Sequence, residues 1–476
     1  MQKINRKIPK ILIGEKIEVP LIRLNMKKII ILVLLASSFL ATIPLKAQSS
    51  TLKTSYFLDR MPMNNKLNPA LINDYGYFAI PIVGGNFNVG VNSNLGLGNF
   101  FYPLASGKVG TFMHPQVNSS EFLDGLDDVN TIDQNLNLTI LSTGFFGLGG
   151  YNTIDLSVKQ NASFNFTKSL FEFIKNGQKG SSTTYNMGGT SVSASSYAEL
   201  SFGHARKVTS NLTLGAKVKG LFGVGNVAFN IDRMDATLSD ELWDIKMSGS
   251  GNIALLGSDI NNDFEDFPPF GLGGFGLGLD LGATYENLVE NLTISAAVTD
   301  LGFISWSKAS DMKINGGTLF TGLEDIELDN MGDAFNDLTD DLTDDFEGMK
   351  PTFTPSSYNS YLNTSILVGA EYEFLPEKLS GGFLYTTTFG PRTITEAMLA
   401  VNFAPAEWFN MAVSGTVSNV GAYFGWVVNI CPKFINIFVG MDRVCGSVSP
   451  QYIPINKANA NFNFGISVPI GKKSDK

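Results

Sequence analysis

The stretch N-A-N-F-N-F-G-I-S-V-P-I, Asn459 to Ile470, alternates without a break. In an extended chain successive side chains point to opposite faces. Ala460, Phe462, Phe464, Ile466, Val468 and Ile470 therefore share one face, and Asn459, Asn461, Asn463, Gly465, Ser467 and Pro469 the other. One face suits an apolar medium. The other is made of amides and small residues rather than the charges that usually solvate an outer surface.

The same period of two recurs upstream in segments of about ten or more residues. In Leu362 to Phe374 the apolar set is Leu362, Ile366, Val368, Ala370, Tyr372 and Phe374, opposite Asn363, Ser365, Gly369, Glu371 and Glu373. Phe275 to Tyr285 sets Phe275, Leu277, Leu279 and Leu281 against Gly276, Gly278, Asp280 and Gly282. Leu212 to Phe222 sets Leu212, Leu214, Ala216, Val218 and Phe222 against Thr213, Gly215, Lys217 and Lys219. Tight turns are read at Gly149-Gly150-Tyr151, Thr209-Ser210-Asn211, the Asn287 region, Pro376-Glu377-Lys378, Pro405-Ala406 and Cys431-Pro432. They alternate with long connections at 94–135, 167–194, 231–270 and 305–357. Strands of ~9 to 11 residues or more, with short turns at one end and long loops at the other, predict a closed antiparallel transmembrane β-barrel.

Counting the segments predicts about 14 strands, within a range of 12 to 16. They are one near Gly85 to Ser93, pairs near 136–166, 195–230, 272–301, 359–389, 393–417 and 420–442, and the closing strand; residues 231–255 could add a pair. A soluble β-sandwich also alternates. Its strands are usually ~5 to 6 residues long, however, and its polar faces carry solvating charge. Lipid outside and a wet or filled interior reward this pattern better, because closure leaves no strand edge in hydrocarbon.

Composition agrees with the barrel. Charged residues make up 16% of the chain and apolar residues 44%, with 49 Gly and 36 Phe; an average soluble domain carries about 25% charge. Met26-Lys27-Lys28, the apolar run Ile29 to Ile43 and Pro44-Leu45-Lys46-Ala47 read as a secretory signal peptide over 26–47, cleaved after Ala47, with residues 1–25 upstream of the true start. Removing residues 1–47 takes out nine Lys or Arg and two Asp or Glu, which moves the net charge from −10 to −17. Nucleic acid is then an unfavourable partner. No apolar run after the signal reaches the ~18 residues of a membrane helix.

Between the signal and the first strand, Tyr56 to Pro81 contains Asn68-Pro69-Ala70. This resembles the N-terminal Asn-Pro-Ala element of the long-chain fatty-acid transporter superfamily of outer-membrane barrels. Gly276 to Trp306 is similar to a hairpin of Bacteroidetes-type relatives, which include an uncharacterised outer-membrane family and accessory barrels of type IX secretion. The resemblance covers about residues 52–470. It implies a bacterial outer-membrane barrel over 85–470, a short tail at 471–476 and an N-terminal segment over 48–84 that folds into the interior as a hatch. That role carries over to Asn68, Pro69 and Ala70; read alone, Asn-Pro is a turn.

If the apolar faces meet lipid, the charges opposite them converge inside: Asp155, Lys159, Glu199, Lys217, Lys219, Asp280, Glu371, Glu373 and Glu396. An unpaired charge in a narrow interior is costly, so mixed signs point to ion pairs bracing a filled lumen as much as to a conducting path. Residues 321–350 carry eleven Asp or Glu and one Lys, with Leu-Thr-Asp-Asp at 338–341 repeated at 342–345. That reads as an acidic amphipathic helix in an external loop; the spacing lacks the ladder of a calcium loop. A second short helix is expected from Thr167 to Lys175.

Gly271-Leu272-Gly273-Gly274-Phe275-Gly276 fits the dinucleotide string but precedes a strand, so no helix N-terminus is there to hold a pyrophosphate. His114 and His204 have no zinc spacing. Neither a cofactor, a metal nor an enzyme is expected. Cys431 and Cys445 bracket the strand Lys433 to Asp442, too far apart for a disulfide. Two roles stay open: a passive transporter of hydrophobic or small solutes, and a non-transporting scaffold barrel partnered by a surface or secretion protein. Outer-membrane lipid is the partner of both.

Overall fold

The computed structural model describes residues 51–79, 86–255, 272–320, 349, 351–444 and 459–472. In chain order its elements are β1 (Tyr75–Ala79), β2 (Asn86–Ser93), β3 (Phe101–Pro103), β4 (Val109–Thr111), α1 (Ser119–Asp124), β5 (Val129–Gly147), β6 (Gly150–Thr167), α2 (Lys168–Asn176), β7 (Ser182–Asn186), β8 (Ser191–Lys207), β9 (Leu212–Ser239) and β10 (Trp243–Leu255). They continue with β11 (Gly274–Val289), β12 (Leu292–Phe320), β13 (Thr352–Tyr361), β14 (Ser365–Leu375), β15 (Leu379–Thr388), β16 (Ile394–Ala406), β17 (Phe409–Ser418), β18 (Gly421–Ile430), β19 (Asn436–Met441) and β20 (Asn459–Lys472).

Apart from the small β3–β4 hairpin, eighteen strands form one antiparallel sheet. Four pairs are collinear. β1 and β2 both lie between β20 and β5, and β7 continues β8 along β9. β10 continues β11 between β9 and β12, and β13 continues β14 along β12. The eighteen strands thus make fourteen staves. β20 closes the ring, pairing with β19 on one side and with β1 and β2 on the other. Closure removes the sandwich alternative.

Three details differ from the sequence reading. Residues 231–255 add no pair of staves: β9 and β12 simply run on, to 28 and 29 residues, with β10 between them. At ~3.3 Å per residue these strands reach roughly 90 Å, three times a hydrocarbon core. Much of the expected loops 231–270 and 305–357 is therefore strand. The wall begins at Tyr75 rather than at residue 85, because Tyr75–Ala79 already pairs with β20 and β5. Leu362, expected on the outward apolar face, is buried beside Trp306. The break between β13 and β14 at 362–364 resets the alternation there.

The outward face is apolar. Val368 and Tyr385 face one another in register and are 49% and 41% exposed, and Phe383 faces Leu399 the same way at 44% and 67%. Leu200, Phe275, Leu277, Phe303 and Phe403 are likewise exposed. No helix among the described residues is long and apolar enough to cross a membrane.

At the end away from the short turns, α2 follows Thr167, one residue later than expected. Its Phe171 packs with Phe100, Phe112 and Phe122, of which Phe112 and Phe122 stack at 4.5 Å. Residues 1–47, the acidic segment 321–350 except Met349, Cys445 and residues 473–476 lie outside the described residues.

Candidate functional site

Residues 51–74 run through the interior of the ring before the chain joins the wall. Two 3-10 turns, Lys53–Ser55 and Pro62–Lys66, lie within this segment. Asn64 binds these turns together: its Nδ2 donates to the carbonyls of Ser55 at 2.7 Å and Leu58 at 2.9 Å, and its Oδ1 accepts from Ser55 Oγ at 2.8 Å. The segment's Leu52, Leu58, Met61 and Met63 join one buried apolar cluster with the wall and its Tyr56, Phe57 and Leu67 another, and its backbone groups must also find partners there.

They do so at three levels. Near the short turns, Asn410 Nδ2 donates to the carbonyl of Asp59 at 2.7 Å, while Asn436 Nδ2 and Tyr75 Oη donate to that of Arg60 at 3.0 and 2.8 Å. At mid-height Lys217 Nζ donates to Asn65 Oδ1 at 2.8 Å, and Lys66 Nζ donates to Thr139 Oγ1 at 2.5 Å. At the opposite side Asp442 accepts from the amides of Lys53 and Thr54, and Lys53 pairs with Glu396.

Asn68-Pro69-Ala70 sits on two glycines. Asn68 Oδ1 accepts from the Ala70 amide at 2.9 Å, its Nδ2 donates to Tyr56 Oη at 3.0 Å, and the residue is fully buried. A methyl group built on Gly215 would run into the carbonyl of Pro69 and the amide of Ala70; one on Gly282 would run into Asn68 Oδ1 and the Pro69 ring. Only a wall without side chains admits the backbone this closely.

The nine charges singled out in the sequence separate into groups. Asp155 is buried between Lys217 Nζ, at 2.9 Å from its Oδ2, and Lys66 Nζ, at 3.9 Å from its Oδ1. Lys159 pairs with Glu199 at 2.7 Å, and Lys219 with Asp280 at 2.6 Å. Asp300 joins these two pairs, 3.2 Å from Lys159 and 2.6 Å from Lys219. Glu396 is buried with Lys53 and Arg443. Glu371 stands apart, accepting from Ser380 Oγ at 2.6 Å, and with Glu373 it lines a small recess beside Asp59 near the short turns.

Sequence reasoning missed Asp300, Asp442 and the asparagines 410, 429 and 436. Asp300 has φ +55 at a register shift between β11 and β12, and such a bulge re-aims a side chain that simple alternation would misassign. Asp442 follows the last residue of β19, where the chain turns inward. The asparagines do occupy inward positions of the period-two pattern, which was a usable signal.

Beyond the inner segment lies a cavity of about 350 Å³. Thirty-six residues line it, seventeen of them Asn, Gln, Ser or Thr, eight Leu, Ile, Ala or Pro and three Tyr, so the wall is mixed: amides and hydroxyls are numerous, while carbon makes up somewhat more of the exposed lining than nitrogen and oxygen. No group of metal-ligating side chains occurs among the described residues.

The profile described as "Family of unknown function (DUF5723)" matches residues 69–442. No curated protein sequence matches the chain. Among solved structures, the Ralstonia pickettii toluene transporter TbuX is 10% identical, with 87% of this chain and 94% of that chain covered and a TM-score of 0.44. The Pseudomonas putida toluene transporter TodX is 10% identical over 89% and 95%, at 0.41. A Pseudomonas aeruginosa FadL homologue is 10% identical over 90% and 99%, at 0.39.

Proposed function

The chain belongs to DUF5723, a family of unknown function, and from that premise we propose that it is an outer-membrane conduit for small polar solutes, closed at rest by residues 51–74. The signal-peptide pattern and the ring of exposed apolar side chains support the location. The observation that carries the reading is a separate interior segment, held to the wall by hydrogen bonds, the Lys53–Glu396 pair and two apolar clusters, beneath a cavity of about 350 Å³. A neutral hydrogen bond contributes only about 0.5–1.5 kcal/mol. The hydrogen bonds can be exchanged for water when the segment moves, and the ion pair and apolar contacts set the cost of that movement.

The many amides and hydroxyls in the lining favour small polar solutes over hydrocarbons. An apolar guest would strip water from amides and hydroxyls at about 1–3 kcal/mol per group left unpaired. In this reading Asn68, Pro69 and Ala70 are the seat of the hatch, and the buried ion pairs keep the wall rigid around it.

A second reading has its own support. β9 and β12 run to 28 and 29 residues, far longer than a membrane needs, and the extension of β9 with β7 and β10 is braced by its own buried apolar cluster of Tyr185, Met187, Leu238 and Ile245. A sheet of that reach suits a scaffold that engages a surface or secretion protein. Liposome swelling separates the two readings. Protein-dependent entry of small sugars or amino acids, increased by deleting residues 51–66, supports the conduit; impermeability of both the full chain and the deletion rejects it.

A further inference from the structure

We infer that the cavity above the inner segment binds a neutral polyhydroxylated solute of mono- or disaccharide size; this rests on the solute-handling reading above and narrows it. Three observations lead there, and the first is charge. The cavity is lined by Lys53, Lys66, Lys159, Arg392 and Arg443, yet four of these five cations already face carboxylates. Lys53 and Arg443 share Glu396, Lys159 has Glu199 and Asp300, and Lys66 lies 3.9 Å from Asp155. An anionic ligand would have to compete with these partners, so charge offers it little.

The second observation is unused hydrogen-bonding capacity. Asp133 Oδ2, Asn135 Oδ1 and Arg443 Nη1 belong to buried residues that line the cavity and have no hydrogen-bond partner among the described residues; each atom is itself covered, so a solute reaches it only when the side chain turns toward the cavity. Buried polar groups without partners are rare in folded proteins and mark where an unseen partner belongs. These three comprise two acceptors and one donor. A hydroxyl serves both roles, because it donates one bond and accepts others.

The third observation is the lining's composition. Asn135 on β5 faces Asn161 on β6 in register, and Ser163 lies one inward step further along β6. Asn226 on β9 accepts from Tyr358 Oη at 2.8 Å, which leaves the Tyr358 ring as an apolar contact. Amides that donate and accept, together with an aromatic surface, match the alternating hydroxyls and C–H faces of a sugar. A volume of about 350 Å³ lies at the lower end of the range for ligand pockets, about 300–1,000 Å³.

The test uses the full chain purified in detergent, with equilibrium dialysis of labelled maltose, sucrose and N-acetylglucosamine and with toluene and triglycine as competing chemistries. We expect saturable binding of at least one saccharide at a single site. The double change Asn135→Leu with Asn161→Leu should weaken it at least tenfold while heat-modifiable migration on gels is retained; if that pair fails to fold, Ser195→Val on β8 should weaken it at least threefold. The absence of saturable saccharide binding, a preference for toluene or triglycine, or full affinity in a folded variant would each overturn the inference. Flux in liposomes without saccharide binding would sink this inference alone. Saccharide binding without flux would sink only the conduit.

Discussion

Asp442 Oδ1 takes two hydrogen bonds from Thr54, one from its backbone amide at 2.7 Å and one from its hydroxyl at 2.8 Å. The other carboxylate oxygen accepts from the Lys53 amide at 3.0 Å and from Asn461 Nδ2 at 3.1 Å. One side chain therefore serves both exposed amides at the start of the first 3-10 turn, which has no side-chain cap of its own.

Replacing that carboxylate should free the start of the inner segment. Asp442→Ala leaves two amides and a hydroxyl short of an acceptor, at about 1–3 kcal/mol for a buried group so stranded. Planar-bilayer recordings should show open events at least ten times more frequent than in the unchanged protein. Equal frequencies would mean that the segment is held elsewhere.

Crowding the glycine seat should lift Asn68-Pro69-Ala70 without opening the wall. Gly215→Val and Gly282→Val each place a side chain where Pro69 and Asn68 now lie. A cysteine introduced at Ala70 should then react with a water-soluble maleimide at least tenfold faster than in the parent. Heat-modifiable migration should persist, and unchanged labelling would contradict the close packing.

Breaking the Glu396 pair should destabilise the barrel itself. Glu396→Leu strands Lys53 and Arg443, and a buried charge that loses its partner costs about 3–5 kcal/mol. Refolding into lipid vesicles, followed by urea titration, should give a lower midpoint. The triple change Glu396→Leu, Lys53→Met and Arg443→Met should recover much of the loss, whereas an equally low midpoint would assign the effect to packing rather than charge.

The outward face can be probed the same way. Val368→Arg on β14 should cost about 2–4 kcal/mol in vesicles if it lies near the bilayer midplane. Thr184→Arg on the extension β7 should cost less than about 1 kcal/mol. Equal costs at the two positions would remove the case that lipid surrounds the central staves.

The wall was legible because its staves repeat one rule many times: Val368, Tyr385, Phe383 and Leu399 each fall where strict alternation puts them. The count of fourteen staves followed from turn residues that punctuate the rule. The extent of the strands was less legible. Beyond the apolar belt, the strands from Asn230 to Ser239 and from Lys308 to Phe320 mix charges and small residues on both faces, so their composition reads as loop although they pair along the wall, with one register shift opposite Ser248 and Gly249. The inner segment's partners were the least accessible. The contact between Thr54 and Asp442 spans 388 residues, and neither belongs to a periodic pattern. Asp300 escaped for a local reason, since one bulge residue is enough to shift its register.

The seam where Asn459–Lys472 meets Tyr75–Ala79 and Asn86–Ser93 also bears on biogenesis. Without the fourteen residues of β20 the sheet is an open ribbon with two bare edges, each able to recruit a stray strand. A chain lacking that strand has no way to close the ring, because β19, β1 and β2 all pair through it.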